Sequence, residues 1–256
     1  GDVPRVFLAE NVEVLGRLLA LEVVARTPAS RVGAKADVIR AALLEERRQL
    51  FLKALRTFIR RFGAERQALI ARAPGRINLL GRHIDHRGGA VNVMAIDRDV
   101  VFVAAAREDD RVVICNADHK DFPDREFCLS ELLGDIQWED WLSFVNSEHV
   151  EALISRSRGD WSNYIKASLL RLQQSFQRVR LMGFDAAVAG DIPRAAGLSS
   201  SSALVVASAE IAVAFNGLGV EPSELVDLCG QGEWSVGSRG GAGDHTAIRL
   251  GRRGQI

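Results

Sequence analysis

Four successive serines, Ser199 to Ser202, follow Gly190-Asp191-Ile192-Pro193-Arg194-Ala195-Ala196-Gly197-Leu198 and lead into an apolar run that begins at Ala203. Capping a helix uses one side-chain oxygen, so a cap explains one serine well and four poorly. An anion cradle explains all four. Backbone N–H groups at a helix N-terminus are unsatisfied and partly positive, and the hydroxyls add donors and an oxygen ligand for Mg²⁺, so the chemistry this loop suits is holding a nucleotide's phosphates. It is not a P-loop, because no G-x-x-x-x-G-K-[ST] string occurs.

A second stretch, Ala73-Pro74-Gly75-Arg76-Ile77-Asn78-Leu79-Leu80-Gly81-Arg82-His83-Ile84-Asp85-His86-Arg87-Gly88-Gly89, is dense in polar groups yet flanked by apolar runs. Asp85 with His83 can bond vicinal hydroxyls, and Arg76 or Arg82 can hold an oxyanion or orient a carboxylate, which describes the pocket of a small polar ligand. His83 and His86 lack a third ligand at metal-site spacing, so hydrogen bonding is the expected use of both.

These residues need a scaffold, and the chain can supply one. Its 256 residues are 47% hydrophobic and 26% charged, an ordinary globular composition long enough for a core without disulfides. Lys plus Arg and Asp plus Glu are 33 each, so no global field draws the chain to nucleic acid or an anionic membrane. No apolar run is long enough for a membrane span, and no secretory leader pattern opens the chain; a cytoplasmic protein is expected. Cys115, Cys128 and Cys229 are odd in number, without C-x-x-C spacing, and read as small hydrophobes.

Apolar spacing predicts a helix from Val6 to about Arg26 and a longer one from Ala36 to Phe62, stopped by Gly63. The second has Arg47, Arg48, Lys53, Arg56 and Arg60 on a solvated face. Short strands follow at 68–71, 90–96, 100–106 and 112–115. Further on come a helix over 161–176, a strand over 184–189, a buried helix over 203–215 and a helix over 222–236. The pattern is α+β, with a helical extension over 1–63 and a sheet domain over 64–256.

Together the two polar segments resemble the GHMP kinases, and within them the galactokinases. The first is similar to the signature A-P-G-R-[VI]-N-L-[IL]-G-E-H-x-D-Y, the second to the loop G-L-S-S-S-A-S. The likeness extends to Phe58-Ile59-Arg60-Arg61-Phe62-Gly63, to Phe122-Pro123-Asp124 and to Trp161-Ser162-Asn163-Tyr164-Ile165-Lys166, covering about 55–256. A third run, Gly232-Glu233-Trp234-Ser235-Val236-Gly237-Ser238-Arg239-Gly240-Gly241-Ala242-Gly243-Asp244-His245, resembles E-H-x-F-x-G-x-x-x-G-x-x-D-Q.

The resemblance implies a ribosomal-protein-S5-domain-2-like N-terminal domain, followed in the family by a ferredoxin-like domain; that domain is expected to be absent from this chain, so a missing C-terminal half is an expected partner. It implies a kinase that uses ATP and Mg²⁺ on the anomeric hydroxyl of a sugar. Gly197, Leu198, Ser199, Ser200, Ser201 and Ser202 would cradle phosphate. Ser201 and Glu233 would bind Mg²⁺, Asp244 would be the base, and Arg76 beside it would stabilise charge on the transferred phosphoryl group. Arg82, His83, Asp85 and Gly241 would contact the sugar. Without the family, an Asp in a glycine-rich loop reads as a turn residue.

This chain departs from the family strings at several points. The metal-binding glutamate of the third run falls on Gly232 unless the alignment shifts by one residue, and Ser202-Ala203 inverts the family's Ala-Ser order. Arg82 stands where galactokinases carry a glutamate and His86 where they carry tyrosine, which brings a hexuronic acid such as galacturonate in beside galactose as substrate. A sugar and nucleotide sensor without turnover is the alternative to an enzyme.

Overall fold

The computed structural model describes residues 6–9, 34–81, 84, 88–133, 140–157 and 159–252. Among these residues six strands form one sheet: β1 (Val6–Ala9), β2 (Ala68–Leu80), β3 (Asn92–Ala106), β4 (Arg111–Asn116), β5 (Arg125–Cys128) and β6 (Phe184–Gly190), in the order β1-β2-β3-β6-β4-β5. All neighbours run antiparallel except β4 and β6, which are parallel. The helices are α1 (Ala34–Phe62), α2 (Leu129–Leu133), α3 (Trp141–Val145), α4 (Glu148–Arg156), α5 (Asn163–Ser175), α6 (Ser200–Asn216), α7 (Pro222–Gly232) and α8 (Gly243–Leu250), with a 3-10 turn over Glu233–Val236.

Both faces of the central strands are apolar, as a sheet covered on two sides requires. Along β3, Val100, Phe102 and Ala104 join the core that contains α5, α6 and α7, while Val101, Val103 and Ala105 join the core that contains Leu50, Ala54, Leu55 and Phe58 of α1. The alternation is the period-two pleat of a strand. Each large side chain fully buried in this way, such as Phe102, stabilises the fold by roughly 1.5–3 kcal/mol relative to exposure.

Gly63 ends α1 as expected: its φ of +89° is the left-handed turn that glycine adopts freely, and its N–H returns to Ile59 O at 2.9 Å. Since α1 lies across β3, β4 and β6, Gly63 marks a change of element within a shared core. The expected helix over 6–26 is corrected at its start, where Val6–Ala9 pairs antiparallel with Ala68–Ala71; the remainder of that helix lies outside the described residues. The helix expected over 222–236 divides into α7 and the 3-10 turn. All three cysteines are free, and burial pushes the Cys115 thiol up to about 12, which fits an inert apolar role. Among the described residues no helix is long and apolar enough to cross a membrane.

Candidate active site

The site is built where β2 meets the loop before α6. The expected strand at 68–71 continues to Leu80, carrying Pro74, Gly75 and Arg76 inside the sheet with a register shift between Pro74 and Arg76. Gly75 is there for room. A Cβ on it would lie 2.8 Å from Leu198 O, and the next residue's amide, Arg76 N–H, donates to that same carbonyl at 3.0 Å. The serine loop therefore lies directly on the β2 backbone.

Asp191 anchors the other end of the loop. Its N–H donates to Asp99 O at 3.0 Å and its Oδ1 accepts from Asp99 N at 2.6 Å. Burial and the nearby Asp99 charge raise the Asp191 carboxyl above its ordinary range, against the bond from Asp99 N–H and the charges of Arg98 and Arg47. Between the anchors, Ala195 and Ser199 take positive φ, 53° and 57°, in the left-handed region that costs a residue with a Cβ about 1–2 kcal/mol.

That conformation turns Ser199 away from capping α6 and toward Asp244. Its Oγ donates to Asp244 Oδ2 at 2.5 Å, and no side chain of the cap residue bonds the first turn of α6. Arg76 approaches Asp244 as a fork, Nε to Oδ1 and Nη2 to Oδ2, both at 2.5 Å, while Nη1 donates to Gly197 O at 2.6 Å. One guanidinium thus joins β2, the serine loop and α8. Asp244 sits in the first turn of α8, a helix that the glycine-rich run before it obscures in the sequence.

The second carboxylate lies at the start of the 3-10 turn. Glu233 is 8% exposed, and its Oε1 accepts from Ser202 Oγ at 2.8 Å. His245 Nε2 stands 3.4 Å from the same oxygen, the residue being 1% exposed and neither ring nitrogen hydrogen-bonded among the described residues. The Tyr164 phenol is raised above its ordinary range, first by burial and then by the Glu233 charge.

The structure therefore brings Arg76, Asp244, Gly197, Leu198 and Ser199 into one cluster and Ser202 and Glu233 into a second beside it. Ser200 and Ser201 occupy the first turn of α6, and Gly241 lies in the loop before α8. The other expected sugar contacts, Arg82, His83 and Asp85, lie outside the described residues, as does His86. Gly75 and His245 were not singled out in the sequence. A glycine between Pro74 and Arg76 in an otherwise apolar run was a signal of close backbone approach; His245 gave no signal of its own.

The residues fit phosphate and a hard divalent cation on this structure's own terms. The N-terminus of α6 is uncapped by Ser199, and the Glu233 carboxylate with the Ser202 hydroxyl supplies hard oxygen donors of the kind Mg²⁺ takes.

A model of the galactokinase galactose-binding signature matches residues 56–106, and a model of the GHMP kinases N terminal domain matches 163–252. A galactokinase of Candida maltosa is 30% identical over 208 residues, spanning 80% of this chain and 88% of the relative. One from Roseiflexus sp. (strain RS-1) is 36% identical over 185 residues, 72% of this chain and 41% of the relative. One from Candida parapsilosis is 29% identical, and the chain spans 38% of its length. The chain thus spans under half of two of these three relatives. The crystal structure of Lactococcus lactis galactokinase complexed with galactose superposes with a TM-score of 0.62 at 28% identity, covering 77% of this chain and 45% of that one. The Methanococcus jannaschii mevalonate kinase, at 18% identity and a TM-score of 0.54 over 71% of this chain and 51% of its own, shares the fold. With the two family models falling on the two halves of the site, and a relative of this identity covered over most of its length, the chain belongs to the GHMP kinase family and is galactokinase-like.

Proposed function

We propose that residues 64–256, with α1 completing their core, are the nucleotide- and sugar-binding unit of a sugar kinase that transfers the γ-phosphate of ATP to the anomeric hydroxyl of galactose. The observation that carries this reading is the Arg76–Asp244 fork, closed by Ser199 and set against the loop that begins α6. Asp244 Oδ1 accepts one hydrogen bond here and so has acceptor capacity for an incoming hydroxyl. As the hydroxyl oxygen bonds to the γ-phosphorus and the bridging P–O bond breaks, the proton passes to Asp244 and ADP leaves. Arg76 stabilises charge on the phosphoryl group in flight, and the amides and hydroxyls of Gly197 to Ser202 hold the phosphates in line. A Mg²⁺ ion held by Ser201 and Glu233 would neutralise phosphate charge. The sugar contacts assigned to Arg82, His83, Asp85 and Gly241 belong to this proposal.

The curated relatives named above are galactokinases and none is a hexuronic acid kinase, so galactose is the substrate proposed. The test is ATP-dependent ADP release with D-galactose, expected in the wild type and abolished in Asp244→Asn. Tight binding of galactose and ATP with no release would replace the kinase by a sensor; failure to bind either would overturn both.

A further inference from the structure

Three departures from the family's strings meet at one oxygen atom. Ser202 stands where G-L-S-S-S-A-S has alanine, His245 where the third run has glutamine, and Glu233 one residue beyond the glutamate of that run. In the fold, Ser202 Oγ donates to Glu233 Oε1 at 2.8 Å and His245 Nε2 faces the same atom at 3.4 Å. The cluster is buried, with Ser202 2%, Glu233 8% and His245 1% exposed.

The neighbouring backbone accounts for the displaced carboxylate. Gly232 ends α7 against α5, where a Cβ on it would lie 3.0 Å from Ala167 O and 3.4 Å from Ala167 C. A side chain there would press on main chain that cannot swing aside, so the helix contact disfavours a glutamate at 232, and the next residue, opening the 3-10 turn, carries it instead. A carboxylate moved by one position would point elsewhere unless new partners fixed its rotamer. Ser202 and His245 are the side chains placed to do so. The arrangement also bears a cost that packing alone would have removed, since two buried ring nitrogens without hydrogen bonds are unfavourable in an apolar setting.

We propose that Ser202 and His245 are positioning residues that fix the Glu233 carboxylate as the cation ligand of the nucleotide site, replacing the support a glutamate at position 232 would have had. The inference rests on the reading of Glu233 as that ligand, and outer partners of a ligating group are worth 10–100-fold in metal affinity.

The test is the affinity of the protein for a non-hydrolysable ATP analogue, measured by calorimetry with Mn²⁺ and again in EDTA, with the Mn²⁺ resonance followed by electron paramagnetic resonance. Ser202→Ala and His245→Leu are each expected to reduce the Mn²⁺-dependent tightening about tenfold, His245→Leu with the metal-free affinity unchanged, and Ser202→Thr, which keeps the hydroxyl, to retain the tightening. A melting temperature that is not lowered in His245→Leu would separate positioning from packing. Unchanged Mn²⁺ dependence in Ser202→Ala and His245→Leu, with loss in Glu233→Gln, overturns the positioning role and leaves the ligand reading intact. No change in Glu233→Gln, or no response to Mn²⁺ in the wild type, overturns both. A Ser202→Thr protein that behaves like Ser202→Ala also counts against the proposal.

Discussion

Arg76 and Asp244 lie 168 residues apart in the chain and meet as a planar fork on a planar carboxylate, with both N–H···O contacts at 2.5 Å. The third arm of the same guanidinium holds Gly197 O at 2.6 Å, so strand, loop and helix are fixed relative to one another by one side chain. A point charge cannot reproduce this geometry. Arg76→Lys is therefore expected to lose most of the turnover with D-galactose, in the range of roughly 10²–10³-fold that loss of one positioned electrostatic donor costs, with far-ultraviolet dichroism unchanged. Turnover within a few-fold of wild type would show that charge alone suffices.

Ser199 separates conformation from chemistry. Its backbone is left-handed, φ 57°, and its hydroxyl is on Asp244. Ser199→Gly removes the hydroxyl and relieves the backbone; Ser199→Ala removes the hydroxyl and keeps the strain. The glycine variant is expected to melt at or above the wild-type temperature and the alanine variant at or below it. Both should lose activity alike, by the roughly 1.5–3 kcal/mol of a hydrogen bond to a charged group. Full activity in the glycine variant would remove Ser199 from the mechanism.

Gly75→Ala would place a methyl 2.8 Å from Leu198 O, with the side-chain methyls of Ile96 and Ile192 at 3.1 and 3.3 Å. The expected result is a shifted serine loop, with nucleotide affinity down at least tenfold and stability down by about 1–3 kcal/mol, as overpacking typically costs. Gly219→Ala is the control, since nothing lies within 4 Å of its Cβ position and its φ is not positive. Equal melting temperatures and affinities for the two variants would show that the loop does not need its seat on β2.

What could be read along the chain was whatever is local. The serine run, the stop at Gly63 and the core periodicity of α1 each announce themselves over a few residues. The length of β2 did not, because Pro74 and Gly75 read as breakers; in the fold they fall at a register shift and under the carbonyl of Leu198, a residue more than a hundred positions away. Strand β1 has the apolar content of a helix and takes its form from pairing with Ala68–Ala71. Asp244 was legible only through family likeness, since nothing near it in the chain states that Arg76 and Ser199 will face it. The Ser202–Glu233 bond, between residues 31 apart, was legible by neither route.

The seat of Asp191 gives a pH dependence whose sign follows from its surroundings. Burial, with the nearby Asp99 charge, raises its carboxyl above the ordinary range, so the folded state holds the proton more tightly than the unfolded chain. Its contribution is then fully stabilising below the ordinary aspartate value of about 4 and is lost as pH rises through the raised folded value, leaving an ionised group at neutral pH that the fold tolerates at a cost. Asp191→Asn removes the charge and keeps an oxygen to accept from Asp99 N–H. Arg98, 3.7 Å from Asp191, retains Glu46 at 3.4 Å. The variant is expected to melt at or above the wild-type temperature at pH 7, with the difference shrinking toward pH 4, as followed by calorimetry across that range. A variant several degrees less stable at pH 7 would mean that the ionised carboxylate is needed to hold the loop's first residue in place.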